Sequence, residues 1–238
     1  MSEALQRTVL PDERIVEANR IARAEFKVSS PFTEKIVAIL VKRLQDKKKL
    51  EYEEISLAEI TTGYMKSGQT YSAVKALEKK IAGDGVIVDT RETLEFYNLF
   101  SGKIVYSKKN NTLRVALNSN LETFYLNLAR NFSVFSLTEL LELQKHSAQR
   151  LYHILKSYEY LEEFVIDIDE LKRITNSTNY KNYSDFEKRV LIPAQDEIFR
   201  KTTMRFYYET ASKERKKIKS IRFIFKHVKQ LKASIKNV

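Results

Sequence analysis

The order of short helices and strands constrains the fold of this chain more than any other feature of its sequence. Apolar residues at helical spacing occur in three short segments of the first half, each bounded by a start or stop signal. Two strand-like runs follow at 104–106 and 113–117, and a hairpin tip at 108–111 separates them. We therefore predict three helices followed by a β-hairpin, with a further short strand at 86–88.

Side-chain signals place the starts of these helices. Ser30 precedes Pro31 and Glu34, a pattern that predicts an N-cap serine, a proline in the first turn and a capping box. Ser56 is the expected cap of a second helix over 56–60. The third helix ends at the Gly83–Gly85 turn and carries three apolar residues at helical spacing: Val74, Leu77 and Ile81.

The same order of elements recurs in the second half, without a residue-level repeat. We expect a strand at 164–167 and a closing hairpin of 204–208 and 218–225 around a basic loop at 212–217. The predicted helices are 138–143, 148–158, 168–175 and 184–201. This order predicts an α+β, helix-rich fold made of two tandem winged helix-turn-helix domains.

The domain boundaries follow from this repeated order. Residues 1–30 are polar with weak helical periodicity, so we assign them to an N-terminal arm, with a partner-dependent helix as the alternative. The first domain is placed at 31–130 and the second at 131–238. Each segment is long enough to form a domain with its own core.

Composition excludes several classes of protein. The sequence has only 5 Gly and 3 Pro, which disfavours a turn-dense all-β fold. It has no Cys, so disulfides and thiolate metal sites are excluded. No apolar run is long enough to span a membrane, and the first residues are polar and mixed in charge. We therefore expect a cytoplasmic protein.

Positive charge is concentrated at one end of the chain. Residues 201–238 contain 12 Lys and Arg but only two acids, Glu209 and Glu214, which gives +10 of the chain's net +11. A solvated basic face would explain such a segment without any function. The density of the charge and its position on an alternating strand pattern favour a polyanion, double-stranded DNA, as the partner.

The helix predicted from Ser184 is the candidate reader of DNA bases. Four apolar residues recur at every fourth position and should face the core: Phe186, Val190, Ala194 and Ile198. The opposite side of the helix then presents basic and amide side chains, as recognition helices do in the major groove. The alternative is that this side is only a solvated helix face. Ser184 as N-cap would leave backbone N–H groups facing a phosphate, and Pro193 should kink the helix.

The candidate DNA contacts lie in both domains. Those of the second domain are on the reader helix, the preceding loop and the wing: Lys181, Asn182, Ser184, Lys188, Arg189, Gln195, Lys213, Arg215, Lys216, Lys217 and Lys219. The corresponding positions of the first domain are less charged: Lys66, Ser67, Gln69, Thr70, Lys75, Lys108 and Lys109.

Catalytic motifs are missing from the sequence. There is no Gly-x4-Gly-Lys-Ser/Thr phosphate loop and no His-x-His pair of the kind that DNA-nicking initiators use. His146 and His153 are seven residues apart and share a helix face, a spacing that metal-binding pairs do not use. Asp167 is better explained as the cap of the next helix than as a metal ligand. We expect no catalytic residue, no metal and no cofactor.

Several motifs resemble the iteron-binding plasmid replication initiators, over roughly residues 30–226. The family's "Phe-Thr-x-Tyr … Arg-Leu-Tyr-x-x-Leu" stretch is similar to Phe132-Ser133-Val134-Phe135 followed by Arg150-Leu151-Tyr152-His153-Ile154-Leu155. The reader helix of the family resembles Asp185-Phe186-x-x-Arg189-Val190-Leu191-x-Pro193-Ala194-x-x-Glu197-Ile198, and the closing hairpin ends in Ile221-Arg222-Phe223. Ser133 stands where Thr is usual, and the arm lacks the leucine heptad of some members.

The resemblance implies a function and partners. Such initiators bind direct repeats at a plasmid origin, help open the duplex and recruit the host initiator ATPase and replicative helicase. As homodimers they repress their own gene, with the first domain serving dimerisation and accessory DNA contact and the second reading the DNA. A tandem winged-helix transcriptional regulator without an initiator role is the alternative.

Overall fold

The structure is a computed structural model that describes residues 13–61, 81–90, 92–107, 109–215 and 217–225. Up to residue 158 its elements are β1 (Arg14–Ala18), α1 (Asn19–Ala22), β2 (Glu25–Lys27), α2 (Pro31–Lys47), β3 (Glu53–Ser56), α3 (Leu57–Ile60), a 3-10 turn (Ile81–Gly83), β4 (Gly85–Asp89), β5 (Leu94–Asn98), β6 (Phe100–Ser107), β7 (Thr112–Leu117), a second 3-10 turn (Ser119–Phe124), β8 (Phe132–Ser136), α4 (Leu137–Glu142) and α5 (His146–Tyr158). The remaining elements are β9 (Glu163–Asp167), α6 (Ile168–Ile174), α7 (Tyr183–Phe186), a π-helical segment (Glu187–Leu191), α8 (Ile192–Lys201), β10 (Phe206–Glu214) and β11 (Lys217–Phe225).

The strands of the described residues form four small antiparallel sheets. Their strand orders are β1-β8, β2-β4-β5, β3-β7-β6 and β10-β11-β9. The two predicted hairpins are confirmed as β6–β7 and β10–β11. In each half of the chain a third strand joins the hairpin, β3 in the first and β9 in the second. Each hairpin therefore forms the outer part of a three-stranded sheet.

The prediction of a polar arm is wrong for the described part of residues 1–30. β1 pairs with β8 along its whole length, and β2 pairs with β4. Three apolar side chains of this segment are buried in the core: Ile15, Ile21 and Phe26. β1 has only five residues and α1 only four, so their alternating and helical patterns of apolar residues are too short to detect in the sequence. The predicted division at residues 130 and 131 stays a prediction, although the β1–β8 pair joins segments on its two sides.

The predicted helix starts are confirmed in part. Ser30 caps α2 by accepting the N–H of Phe32, but Glu34 does not complete a capping box because its side chain is buried in the core. Ser56 caps α3, and Glu59 completes the box there. Val74 and Leu77 of the predicted third helix lie outside the described residues, and Ile81 lies in a 3-10 turn.

Several strands differ from the prediction. β5 was not predicted, and it lies at the edge of its sheet with Leu94 and Phe96 exposed. The strands of the second hairpin extend to Glu214 and Lys217, so most of the predicted loop at 212–217 is strand. The turn includes Arg215, whose φ is 54°. A lysine-rich sequence is typical of a loop. Here backbone pairing between β10 and the apolar strand β11 keeps these residues extended.

A buried ionic cluster joins β1 and α2 to α5. The Arg150 guanidinium, on α5, lies 3.4 Å from the Glu34 carboxylate on α2, and His146 Nδ1 lies 2.7 Å from the same carboxylate. His153 Nδ1 lies 2.6 Å from Glu17 Oε1 on β1. The two histidines share a helix face as predicted, but they face carboxylates rather than solvent. Burial alone would raise the pKa of Glu34, but Arg150, His146 and His153 outweigh it and hold this pKa at about 2.

The low pKa of Glu34 makes the stability of the protein depend on acid. Because the folded-state pKa of about 2 lies below the ordinary 4.5, the stabilisation is complete above pH 4.5 and is lost as the pH falls toward 2. The shift corresponds to about 3 kcal/mol of unfolding free energy. We expect Glu34→Gln to be less stable at pH 7 and to lose less stability between pH 5 and 3, measured by urea unfolding. The exposed Glu54→Gln is the matched control, and equal acid slopes in the two variants would contradict the assignment.

Candidate nucleic-acid interface

The predicted reader helix is one continuous helical segment over residues 183–201. It comprises α7, the π-helical segment and α8, and we call it the reader helix. Its N-cap is Asn182, which makes no side-chain capping bond. The prediction that Ser184 caps the helix is therefore wrong, because Ser184 lies inside the first turn, where its side chain is exposed.

The apolar side of the reader helix faces the core as predicted. Its buried residues include the four at every fourth position: Phe186, Val190, Ala194 and Ile198. An ordinary α-helix has 3.6 residues per turn, so such a row drifts by about 40° at each step. A π turn holds more residues and cancels part of this drift. The four-residue spacing is thus a signal for the π-helical segment. In the sequence analysis it served only to identify a row of buried residues.

Pro193 supplies the second reason for the π-helical segment. It has no N–H, so the α-helical bond to the Arg189 carbonyl cannot form. In the structure the N–H of Ile192 instead donates to the Glu187 carbonyl, five residues back. The predicted kink at Pro193 is therefore a local change of helix type. The π turns of other proteins are frequently found at functional sites.

The exposed side of the reader helix carries the two basic residues expected there. Lys188 and Arg189 are exposed within the π-helical segment, and Ile192, next to them, is 42% exposed. Gln195 is half-buried, and its Nε2 donates to the Phe206 carbonyl at 3.1 Å. The prediction that Gln195 is an outward-facing contact residue is thus wrong, since its amide ties the helix to β10.

The loop before the reader helix is fixed by a buried lysine. Lys172 is 6% exposed, and its ammonium donates to the Lys181 carbonyl at 3.1 Å and lies 5.7 Å from the centre of the Phe186 ring. Lys181 and Asn182 themselves are exposed, as predicted. Asp167 caps α6 by accepting the N–H groups of Asp169 and Glu170, which confirms the capping prediction.

The wing of the second half is the β10–β11 hairpin. Four of its predicted basic residues are exposed: Lys213, Arg215, Lys217 and Lys219. Lys216 lies outside the described residues. Lys219 lies 3.2 Å from Glu214, and the hydrogen bond to this carboxylate raises the pKa of Lys219.

The first half contributes fewer described candidates. Lys109 is exposed at the β6–β7 turn. The other predicted contacts of this half lie outside the described residues: Lys66, Ser67, Gln69, Thr70, Lys75 and Lys108. Two basic residues, Arg114 and Lys103, were not predicted. The Arg114 guanidinium lies 4.5 Å from the centre of the exposed Tyr52 ring. The backbone N–H of Lys103 donates to the Tyr52 hydroxyl. These pairs depend on how Tyr52, just before β3, packs against β6 and β7, which the sequence pattern does not reveal.

The far end of the reader helix is anchored to α4 and α5. The Glu197 carboxylate accepts the N–H groups of Gln144 and Lys145 at the start of α5. Lys201 forms an ion pair of 3.2 Å with Glu142. Lys35 lies close by, where burial lowers its pKa to about 8 although Glu142 and Glu197 oppose the shift. Carboxylates on the reader helix and on α4 thus fix the reader helix relative to α4 and α5.

The described residues show neither a metal site nor a membrane segment. They hold no group of three or more His, Cys, Asp or Glu placed to bind a metal ion. Within the same residues, every helix is too short or too polar to cross a membrane. The arrangement offers side chains for recognition and charge for polyanion binding.

Two family models match the chain. The model described as "Initiator Replication protein, WH1" matches residues 14–156, and that described as "Initiator Rep protein, WH2" matches residues 167–225. The chain belongs to the initiator Rep protein family. Its two units are tandem winged-helix domains, which confirms the predicted α+β fold. The reader helix and the β10–β11 wing lie within the WH2 match, and the buried ionic cluster lies within the WH1 match.

The fold of this family member is similar to a solved structure. It matches the crystal structure of Pi initiator protein in complex with iteron DNA with a TM-score of 0.72 and 18% sequence identity. The match covers 91% of this chain and 98% of that one. No curated protein sequence matches the chain significantly.

Proposed function

We propose that this replication initiator binds direct repeats, or iterons, at a replication origin and reads them with its second domain. The observation that carries the proposal is the exposure of Lys188 and Arg189 on the reader helix of a WH2 domain that also carries a basic wing. The structural neighbour Pi initiator protein, which has the same fold, is bound to iteron DNA. Arginine and lysine at such positions can pair with guanine edges in the major groove.

The proposed division of labour follows the chemistry of the two surfaces. Arg189 can donate two hydrogen bonds to one guanine, which discriminates between bases. Lys213, Arg215 and Lys217 on the wing can contact phosphates, which fix position without reading sequence. To Lys109 and Arg114 of the first domain, which are exposed, we assign accessory contacts. The second domain is therefore the main reader.

The cellular role extends this binding. Opening of the duplex, recruitment of the host initiator ATPase and replicative helicase, and repression of the protein's own gene as a dimer are proposed from the family. We also propose that the protein acts in the cytoplasm and has no catalytic activity of its own. The sequence supports the last point because it has neither a phosphate loop nor a His-x-His pair.

Footprinting on the DNA that flanks its own gene tests the proposed function. We expect protection of several regularly spaced direct repeats, together with an inverted repeat near the promoter. On the same labelled DNA with Mg²⁺, we expect neither a nick nor a covalent adduct. Protection of a single palindrome alone would favour a transcriptional regulator, and nicking would overturn the absence of catalysis.

Base selection by the reader helix is tested with randomised repeats. Arg189→Ala and Lys188→Ala should each relax the preference at one or two base pairs, since a bidentate contact is worth about 1–3 kcal/mol of discrimination. Lys181→Ala, at an exposed loop position expected to contact phosphate, is the matched comparison. If the helix variants keep the wild-type preferences and lose only affinity, the reader is elsewhere.

The electrostatic part of binding is tested by its salt dependence. Lys213→Ala combined with Lys217→Ala should weaken binding to all sequences alike and flatten the slope of log K against log salt by about 0.9 for each phosphate that the wing no longer neutralises. The control combines Lys49→Ala with Lys145→Ala, which removes the same charge from exposed sites outside the proposed interface. Equal slopes in the two double variants would remove the wing from the interface.

The proposed homodimer has a candidate contact in the first domain. β5 is an edge strand, and Leu94 and Phe96 on it are 54% and 69% exposed. Such an edge pairs readily with a second copy of itself. Phe96→Asp should weaken self-association at least tenfold in sedimentation experiments, whereas Tyr160→Asp, at another exposed ring, should leave it unchanged. Equal association constants would place the dimer contact elsewhere.

A further inference from the structure

The turn between α6 and the reader helix, residues 175–182, begins with a Schellman motif. The N–H of Ser177 donates to the Lys172 carbonyl at 2.7 Å, and the N–H of Asn176 donates to the Arg173 carbonyl at 3.0 Å. Asn176 has the left-handed φ of 52° that this motif requires, which asparagine adopts more readily than most residues. The backbone of Lys172 thus helps to fix the point at which the chain leaves α6.

The side chain of the same lysine fixes the other end of the turn. The Lys172 ammonium donates to the Lys181 carbonyl at 3.1 Å, and Lys181 precedes Asn182, the N-cap of the reader helix. The ammonium also lies 5.7 Å from the centre of the Phe186 ring, in the first turn of that helix. Lys172 therefore spans the turn from the end of α6 to the beginning of the reader helix.

We propose that Lys172 is a positioning residue for DNA recognition, which fixes the turn so that the Lys181 side chain lies at the DNA backbone when the reader helix occupies the major groove. The inference rests on the proposed function, in which the exposed Lys181 contacts phosphate. Lys172 is itself only 6% exposed, so it acts through the turn and does not touch DNA. It was not among the predicted contacts.

The structure of the turn shows where this bond acts. Its first half is ordered locally, since the Ser177 hydroxyl donates to the Thr175 carbonyl and both side chains are buried. Its second half includes the exposed Thr178 and Asn179, and there the Tyr180 N–H donates to the Ser177 carbonyl at 3.1 Å. The bond between Lys172 and Lys181 joins this exposed half back to α6.

A turn that is fixed before binding favours affinity. Ordering a loop at the moment of binding costs free energy, and a loop already held in the free protein avoids that cost. Phosphate contacts in turn set the position of a protein on the duplex. Holding Lys181 in place therefore aligns the reader helix with the DNA backbone as well as strengthening binding.

A methionine at position 172 separates the hydrogen bond from the packing. Burial of an ammonium costs free energy, which a carbonyl acceptor and a ring face offset in part. Methionine is of similar length and avoids this cost, so we expect Lys172→Met to remain folded. Lys172→Leu is the second variant, and loss of folding in both would make Lys172 a core residue and overturn the proposal.

The first test measures amide hydrogen exchange in the full chain without DNA. In Lys172→Met the Tyr180 amide should exchange about 3- to 10-fold faster, the effect of losing one hydrogen bond of ordinary strength. Arg173→Met removes the same charge from the neighbouring exposed position and should leave this rate unchanged. Equal exchange in wild type and Lys172→Met would show that the side chain does not hold the turn and would overturn the proposal.

The second test is a double-mutant cycle on affinity for the repeat DNA. Lys172→Met should weaken binding about 3- to 10-fold in the wild-type background but less than about twofold in the Lys181→Ala background, where the phosphate contact is already lost. Arg173→Met should have the same effect in both backgrounds. An equal loss from Lys172→Met in both backgrounds would reduce Lys172 to a structural residue and contradict the proposal.

The cycle also separates this inference from the proposed function. If Lys181→Ala binds the repeats as tightly as wild type, the phosphate contact and the role of Lys172 both fail. The base preference of Arg189→Ala then still decides whether the reader helix recognises the repeats. If Lys181→Ala weakens binding and the cycle shows no coupling, the proposed function stands and only the role of Lys172 is overturned.

Discussion

The buried guanidinium of Arg150 is the interaction on which the packing of residues 14–156, the WH1 match, depends. It donates to the carbonyls of Ala22 and Ala24, lies 4.1 Å from the centre of the Phe26 ring, and faces Glu34. One side chain thus joins α1, β2, α2 and α5. An isolated charge in such a place would be very unfavourable, and the carboxylate and carbonyl acceptors offset that cost. The segment that looked like a free arm is held in the core by this arrangement.

The second domain relies on a different principle. Its core is a row of aromatic rings between β9, β10 and β11, in which Phe164 stacks on Phe223 with ring centres 5.2 Å apart. These rings pack into one layer, and the Gln195 amide ties the reader helix to it at the Phe206 carbonyl of β10. The positive charge lies at the edge of this layer, on the wing formed by β10 and β11. Rigid packing and solvent-facing charge thus occupy separate parts of the domain.

Much of the architecture could be predicted from the sequence, because helical and alternating periods depend on local spacing. The two hairpins, α2 with its Ser30 cap, and the inward row of the reader helix followed from such spacing. Glu34 was misassigned because a glutamate in the first turn after an N-cap serine has the same sequence pattern whether it caps the helix or turns into the core. Gln195 was misassigned because its partner is a carbonyl on β10, eleven residues later in the chain. Long-range partners of polar side chains leave no local signal.

The binding of the Glu197 carboxylate to the start of α5 affects how the reader helix can move. One carboxylate serves two backbone N–H groups, and helix α5 has no side-chain cap of its own at that end. A hinge motion that pulled the reader helix away would remove both N–H donors from the Glu197 carboxylate at once and leave its charge without these partners. Separation of the two domains is therefore all-or-none at this joint. The contact between Glu197 and the start of α5 resists small displacements and opens only when both hydrogen bonds break together.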